Sequence, residues 1–327
     1  MSSTIPNHAI VGHSQQMSLF EQPVYDSAVE KVRWVTHAPT NQLWQTGSPL
    51  EFHIHENATS YIDLKRTILH VRAAIVDDKG NSLPAGSKLK VGSDGQPIPP
   101  TGEELKGNVG PINNFLDSMF QQIDVVMNHV VVTSSENTYP YKAYIDELLT
   151  TSKEVKSTKL QSQLFIADTG YHFDDADPYV GSNIGLSKRT DYTDGSKEFD
   201  LVGNLKVDVF NLDRYLPTGI DLKIKLWQSS DAFRLMSNYD KPEIYRVKIV
   251  DAELHLCMVT PTPHCLAAHS EVLDRGKKAV FPYFKSEVKK FAISSSHWSF
   301  TQEDLFQGAC PSQLIIGLVA EEATSGM

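Results

Sequence analysis

Two histidines, His53 and His55, flank one isoleucine in the stretch EFHIHE (51–56). On a β-strand both imidazoles would project from the same face, because successive side chains alternate between the two faces. Two imidazoles at this spacing can share a zinc ion, and His70 or His129 could supply a third ligand. One hypothesis is therefore a metal site and, with it, an enzyme.

The same stretch also fits an ordinary half-exposed strand. One face would carry Glu51 and the two histidines, while Phe52, Ile54 and, at the end, Glu56 would face the other way. No neighbouring residue supplies a partner at the spacing of a known metal motif. We therefore expect no metal and no cofactor, with the two histidines as the candidate ligands if a metal binds.

Acidic and serine-rich segments offer no better site. The run DDADP (174–178) could bind calcium, but it lacks the D-x-[DN]-x-[DN]-G spacing of a calcium loop and is more typical of a solvated loop. Ser134, Ser135 and the serines at 294–296 have no G-x-S-x-G context. No acid, base and nucleophile stand together in the sequence, so we expect no catalytic residues and no enzyme.

The composition favours a folded, acidic protein from a reducing compartment. Of the 327 residues, 40% are hydrophobic and 21% are charged, which is enough for a sizeable core. The net charge of -10 would repel a phosphate backbone and argues against direct nucleic-acid binding. Three cysteines without a CxxC pair indicate neither a disulfide framework nor a zinc knuckle. No apolar run approaches the roughly 18–20 residues that span a bilayer, so we expect no membrane anchor.

Most of the chain from Lys31 onward has the pattern of β-strands. Short runs rich in Val, Ile, Phe, Tyr and Thr alternate with clusters of turn residues. The runs lie at 31–38, 50–56, 67–76, 120–134, 205–212, 220–227 and 244–259. In the last run the apolar positions change parity near Asp251, which predicts a β-bulge or a bend there.

Residues 137–155 form the only segment that the sequence pattern identifies as a helix. Asn137 or Thr138 could cap it, and Pro140 suits its first turn. Apolar side chains at helical spacing predict its buried face. They are Tyr141, Tyr144, Ile145, Leu148 and Leu149.

Two segments, 77–111 and 168–196, are rich in Gly, Pro, Ser or Asp and are expected to be long loops. Many short strands, long loops and one helix predict an all-β antiparallel sandwich or jelly roll. The glycine-rich motifs of nucleotide-binding α/β proteins are absent from the sequence.

Between Tyr61 and Leu149 the motifs become specific in their order. YIDLKRTILHVRAAI (61–75) is followed by VGPINNFLDSMFQQIDVVMN (109–128) and NTYPYKAYIDELL (137–149). This order resembles the first barrel of double jelly-roll major capsid proteins, most closely those of Polinton (Maverick) elements and adintoviruses. The matching residues are Asp63, Leu64, Leu69, Val71, Val109, Gly110, Pro111, Asn113, Leu116, Ser118, Phe120, Gln122, Asp124, Val125, Asn137, Thr138, Tyr139, Pro140, Tyr141, Ala143, Tyr144, Leu148 and Leu149.

The resemblance extends over roughly residues 31–320 and implies a domain plan. Residues 1–30 would be a flexible N-terminal arm, and residues 31–260 a first jelly-roll barrel with one short helix after its fourth or fifth strand. Residues 261–327 would begin a second, truncated jelly roll, because about 67 residues are too few for eight strands of ordinary length.

The resemblance also implies a structural role. The protein would self-assemble, as trimers, into the icosahedral shell of a double-stranded DNA virus or a virus-like transposable element. Its partners would be further copies of itself and a vertex or minor capsid protein. It would be made in the host cytosol and reside in the virion.

Two other functions stay open at this point. One is a single jelly-roll vertex (penton-like) or receptor-binding protein, which the native mass would separate from a trimeric shell subunit. The other is a metal-dependent, cupin-like enzyme that uses His53 and His55. Elemental analysis for zinc, iron or manganese would test that reading.

Overall fold

A computed structural model describes residues 28–41, 48–55, 59–91, 96–133, 136–294, 299–303, 305–306 and 310–319. The strands are β1 (Val29–His37), β2 (Leu50–Ile54), β3 (Tyr61–Asp77), β4 (Lys90–Val91), β5 (Pro97–Ile98), β6 (Val109–Pro111), β7 (Phe120–Met127), β8 (Val130–Val131), β9 (Phe199–Asn204), β10 (Leu222–Gln228), β11 (Leu235–Ser237) and β12 (Tyr245–Pro261). The helices are α1 (Phe115–Ser118), α2 (Tyr139–Thr150), α3 (Lys153–Lys156), α4 (Ile184–Thr193), α5 (Asp231–Arg234) and α6 (Pro263–Asp274).

Eight of these strands form two four-stranded antiparallel sheets. The strand order is β1-β12-β3-β9 in the first sheet and β2-β10-β7-β8 in the second. The barrel strands pair from the outside of the sequence inwards. The outermost pair is β1 with β12, followed by β2 with β10 and β3 with β9, and the innermost pair is β7 with β8. This is a long antiparallel hairpin that has been rolled up, which is the topology of a jelly roll. The expected all-β antiparallel jelly roll is confirmed.

The core lies between the two sheets because the strands alternate in polarity. In β2, Leu50, Phe52 and Ile54 are buried, while Glu51 and His53 are half-exposed, as the sequence predicted. Glu56 lies outside the described residues. The neighbouring β10 places Leu222, Ile224 and Leu226 against the same core, and β3 and β12 close it from the opposite sheet.

The bulge predicted near Asp251 is confirmed. The pairing of β12 with β3 shifts by one residue between Ile249 and Asp251 and again between His255 and Cys257. The first shift keeps apolar side chains on the core side before and after it, since Val247, Ile249, Ala252 and Leu254 are all buried. A bulge is therefore how this long strand keeps one face towards the core.

Several local predictions were wrong. Residues 208–211 form a 3₁₀ turn rather than part of a strand. The predicted loop 77–111 contains β4, β5 and β6, and the predicted loop 168–196 contains α4. Strand β1 begins at Val29, inside the predicted arm, while residues 1–27 lie outside the described part of the chain. In α4 the sequence IGLSKRTDYT has weak helix propensity, and the Asn183 side chain and tertiary contacts compensate for it.

The helix predicted at 137–155 is present as α2, after the fifth of the eight barrel strands, but its buried face was predicted wrongly. The residues that face the protein are Tyr139, Pro140, Ala143 and Glu147. The predicted apolar face is largely in solvent, since Tyr144, Leu148 and Leu149 are exposed. The protein interior beside α2 offers polar partners to Tyr139 and Glu147. The helix therefore buries the side that carries these two residues and not the predicted apolar side.

The segment after the barrel does not contain a strand in its described residues. The described residues of this segment form α6 and, beyond it as far as residue 319, stretches without regular secondary structure. The division into a first barrel at 31–260 and the start of a second at 261–327 stays a prediction.

Candidate functional site

The motif that carries the resemblance, residues 109–149, forms a buried polar network at one end of the barrel. The centre of the network is Asp117 in α1, which is only 2% exposed. Its carboxylate accepts hydrogen bonds from the Tyr139 hydroxyl at 2.7 Å and from the Asn114 side-chain amide at 3.0 Å. Burial raises the pKa of Asp117 to about 6, although both hydrogen bonds oppose that rise. Burial likewise raises the pKa of Tyr139.

The same network fastens α2 to the barrel. The Lys206 backbone N–H donates to the Tyr139 hydroxyl at 3.1 Å. The Lys206 ammonium lies 2.6 Å from the buried carboxylate of Glu147, and Lys142 pairs with Asp208. An uncompensated charge on the buried Glu147 would be costly, so its pair with Lys206 fixes the rotation of the helix, and the half-buried Lys142–Asp208 pair adds a second attachment.

A second part of the motif docks α4. Arg189 is fully buried, and its guanidinium donates to the Pro111 carbonyl at 2.8 Å and to the Asp168 carboxylate at 2.7 Å. Gly110 lies against the same helix so closely that a Cβ there would stand 2.1 Å from the Thr190 hydroxyl oxygen. The described residues of this motif therefore hold helices onto the barrel.

His53 and His55 project from the same face of β2, as predicted, with ring centroids 3.9 Å apart. Their neighbour is Asp221, whose carboxylate lies 2.5 Å from His53 Nε2. The hydrogen bond from His53 lowers the pKa of Asp221. His129, one of the two suggested third ligands, contributes to the same lowering, so it lies close enough to act electrostatically. Asp221 is 168 residues from His53 in sequence, and no local pattern could have indicated it.

His70, the other suggested third ligand, belongs to a different cluster on the first sheet. It lies beside Glu253, its cross-strand partner on β12, and His255 lies two residues further along the same strand. Glu253 Oε2 is 3.5 Å from His255 Nε2 and 3.9 Å from His70 Nδ1. The structure thus separates the histidines that the sequence placed together and forms two groups, each with two imidazoles and one carboxylate.

The carboxylates of DDADP accept hydrogen bonds from their own loop and from the segment after β11. Asp177 Oδ1 accepts hydrogen bonds from the backbone N–H groups of Tyr179 and Val180, and its Oδ2 accepts one from the Asn238 side chain. Asp175 accepts from the Ser182 N–H at 2.5 Å. These contacts give the acidic run a structural role in shaping the loop.

Two cavities in the described part of the chain lie away from the histidines. A cavity of about 60 Å³ lies between α2, β7 and residues 283–288, and a shallow depression of about 210 Å³ lies beside Asp63 and Tyr215. A typical ligand pocket measures about 300–1,000 Å³. Among the described helices none combines the length and the apolar character that a membrane span requires.

Comparisons with known proteins give the following likenesses. No family model matches the chain. The uncharacterized protein F54H12.2 of Caenorhabditis elegans is 23% identical over 306 residues, which cover 93% of this chain and 67% of that protein. A chain of the Sputnik virophage structure determined by cryo-EM matches 80% of this chain and 54% of its own, with 15% identity and a TM-score of 0.44.

Two further solved structures give similar values. The Faustovirus major capsid protein matches 82% of this chain and 59% of its own, with 10% identity and a TM-score of 0.44. The PBCV-1 virus capsid model matches 76% and 47%, with 11% identity and a TM-score of 0.38. This chain thus spans about half of the length of these solved chains. At such TM-scores the likenesses carry no argument, and the assignment of the jelly roll rests on the strand order.

Proposed function

We propose that this protein is a structural capsid subunit that assembles, as trimers, into the icosahedral shell of a double-stranded DNA virus or a virus-like transposable element of the Polinton or adintovirus type. The observation that carries the proposal is the rolled-hairpin strand order, with β1 paired to β12 and β2 to β10. The ordered motifs of residues 109–149 add specificity, because a jelly roll by itself serves many functions.

The surface supports a protein that works by contact with other protein molecules. Three large apolar side chains of α2, Tyr144, Leu148 and Leu149, face solvent on one side of a firmly docked helix. Exposed apolar surface of this kind is typical of an interface that is buried on assembly. Further copies of the chain, together with a vertex or minor capsid protein, are the proposed partners, and the virion is the proposed location.

The mass of the native assembly tests this proposal. We expect the purified full-length chain to have the mass of three chains by light scattering and native mass spectrometry. A mass of five chains would support the vertex protein instead, and a stable monomer at high protein concentration would contradict a self-assembling shell subunit.

Deletion of residues 1–30 provides a second test, because these residues are proposed to reach an adjacent subunit. We expect the deletion to leave the far-UV circular dichroism spectrum unchanged and to lower the yield of assembled particles. Because Val29 and Glu30 lie in β1, a matched deletion of residues 1–27 separates loss of the arm from damage to the strand. An unchanged particle yield would count against a role of the arm in assembly.

The cupin-like enzyme is less well supported. A catalytic metal needs a concave site that excludes water and orients a substrate. Both histidine groups lie on the outward faces of the sheets, where His53, His70 and His255 are half-exposed. A metal ion bound there would therefore not by itself indicate an enzyme.

A further inference from the structure

We propose that His70, Glu253 and His255 form a binding site for a divalent transition-metal ion of the zinc class on the outer face of the first sheet. Two imidazoles and one carboxylate are a ligand set that Zn²⁺ commonly uses with a water molecule in the fourth position. The proposal does not depend on the function proposed above.

The distances fit one ion. In a tetrahedral zinc site with metal–ligand distances of about 2.0–2.1 Å, ligand atoms lie about 3.3 Å apart. Glu253 Oε2 lies 3.5 Å from His255 Nε2 and 3.9 Å from His70 Nδ1, and one ligand atom from each residue lies within 4.8 Å of the other two. Side-chain rotations that change these separations by at most about 1.5 Å would bring the three atoms into coordination.

Each imidazole is already held through its other nitrogen. His70 Nε2 lies 2.8 Å from Asp200 Oδ1, and since a carboxylate only accepts, the His70 proton is on Nε2 and the lone pair is on Nδ1. Asp200 is fixed in turn by Arg72, whose Nε donates to it at 3.1 Å. Hydrogen bonds from His70 and Arg72 lower the pKa of Asp200. This carboxylate–histidine arrangement is the usual outer support of a zinc ligand.

His255 is supported in an equivalent way. Its Nδ1 shares a hydrogen bond of 2.9 Å with the Thr36 hydroxyl on β1, which can accept the Nδ1 proton and leave the Nε2 lone pair towards Glu253. The three candidate ligands stand on β3 and β12, two central strands of the sheet. The site is therefore built on rigid backbone, and its rings need little reorganisation to bind an ion.

The charges nearby also favour a cation. Asp200, Glu198 and Asp251 lie close enough to Arg72 to raise its pKa, and Glu253 lies beside His70. The group of His53, His55 and Asp221 is less suitable for binding a metal, because His53 Nε2 already contacts the Asp221 carboxylate directly at 2.5 Å. A metal there would have to break that contact before binding, so the His53 group serves as an internal control.

Zinc titration of the metal-stripped, full-length chain tests the proposal. We expect one Zn²⁺ per chain by calorimetry and elemental analysis, and a rise in melting temperature of about 5 °C at a zinc concentration 100 times the dissociation constant. Glu253→Gln and His255→Gln should each weaken binding at least about tenfold, and so should Asp200→Asn through its support of His70. The double variant His53→Gln/His55→Gln should bind zinc like the original protein.

Histidine modification gives a readout that needs no variant. In the unaltered protein, Zn²⁺ should protect His70 and His255 from diethyl pyrocarbonate, as mapped by mass spectrometry, while His53 and His55 stay reactive. The proposal is overturned if no stoichiometric zinc binds, if binding survives both ligand substitutions, or if protection falls on His53 and His55.

Discussion

The barrel, residues 29–261, and the C-terminal region, the described part of residues 263–319, place their apolar side chains in opposite environments. The barrel encloses them between two sheets, as with Phe52, Val71, Leu222 and Leu254, each of which is almost completely buried. The C-terminal region leaves most of its large apolar residues in solvent, and Phe284 is 91% exposed, although Phe281 packs against the barrel core. The exposed set is Val272, Leu273, Val280, Tyr283, Phe284, Phe291, Ile293, Phe300, Leu314, Ile315, Ile316, Leu318 and Val319.

Strand pairing accounts for the difference. Every long barrel strand has an antiparallel partner on at least one side, which satisfies the backbone groups along that edge. Apart from the edge strand β1, each of these strands also has one face buried. The C-terminal region has a few attachments, such as the Ser286 N–H that donates to Asp208 at 2.7 Å and the Lys290 ammonium 5.2 Å from the centre of the Tyr141 ring. An apolar sequence is therefore not sufficient for a core, because it also needs a partner to cover it.

The largest expected effect comes from truncating one phenylalanine in each region. Phe115 is fully buried and packs against Phe199, with ring centroids 5.9 Å apart. Phe115→Ala should lower the free energy of unfolding by about 3–5 kcal/mol, because it removes buried surface and leaves a cavity. Phe284→Ala should change it by less than about 0.5 kcal/mol. Urea denaturation followed by tryptophan fluorescence measures both.

Similar losses of unfolding free energy for the two substitutions would contradict the contrast between the barrel and the C-terminal region. A cost above about 2 kcal/mol for Phe284→Ala would mean that the C-terminal region unfolds together with the barrel. Measurement at several protein concentrations is the control, since an effect that grows with concentration reports assembly rather than folding.

The next largest expected effect is the contribution of Asp117 to the free energy of unfolding, which depends on pH. Its pKa is about 6 in the folded protein, compared with an ordinary value of 3.8. Below about pH 4 Asp117 is protonated in both the folded and the unfolded state, and its contribution to the free energy of unfolding is fully present. Between pH 4 and 6 the unfolded state loses the proton more readily, so stability falls by about 3 kcal/mol.

Asp117→Asn should remove that loss. The new amide oxygen can accept from Tyr139, and its NH₂ group can donate to Asn114 Oδ1, a buried atom without a hydrogen-bond partner, if the Asn114 amide rotates. The variant should therefore gain stability relative to the original protein as the pH rises from 4 to 7, measured by denaturation at each pH. Asp213→Asn is the control, because Lys65 lowers the pKa of that exposed carboxyl and the trend should be absent or reversed. A pH-independent difference for Asp117→Asn would contradict the buried, raised-pKa carboxyl.

The same contrast explains which features the sequence could reveal. The alternation in β2 and the change of parity at Asp251 were predicted correctly. A strand with one face in the core and one in solvent has alternating apolar and polar residues, so its own sequence is enough to show the pattern. The rotation of α2 was predicted wrongly, because its buried face contains Glu147 and depends on Lys206, which lies in a distant part of the chain.

The histidine groups follow the same rule. The shared face of His53 and His55 is a local property of an alternating strand and was predicted. Asp221 beside His53, and Glu253 with His255 beside His70, are brought together only by strand register. Register depends on the whole sheet, and a single sequence without the fold does not specify it.

The smallest expected effect on the free energy of unfolding comes from replacing either of two glycines that have the same backbone conformation. Gly80 and Gly276 both have φ of 80°, and nothing lies within 4 Å of the Cβ that alanine would add at either position. Only the cost of the left-handed conformation, about 1 kcal/mol for a residue with a Cβ, then applies to each substitution. Gly80 lies in the tight turn after β3, where the Asp77 carboxylate accepts from the Asn81 N–H at 2.7 Å. Gly276 ends α6, and its N–H donates to the Leu273 carbonyl at 2.8 Å.

Because the turn at Gly80 must form for the barrel to fold, Gly80→Ala should lower the free energy of unfolding by the full amount of about 1 kcal/mol. Since no residue of α6 is buried, the end of that helix can fray locally after Gly276→Ala, and the barrel should unfold at an unchanged denaturant concentration. Hydrogen exchange should show faster exchange near residue 276 in that variant. Equal losses of barrel stability in the two variants would show that α6 belongs to the cooperative unit of the barrel, and the boundary between the two regions would then lie beyond Gly276.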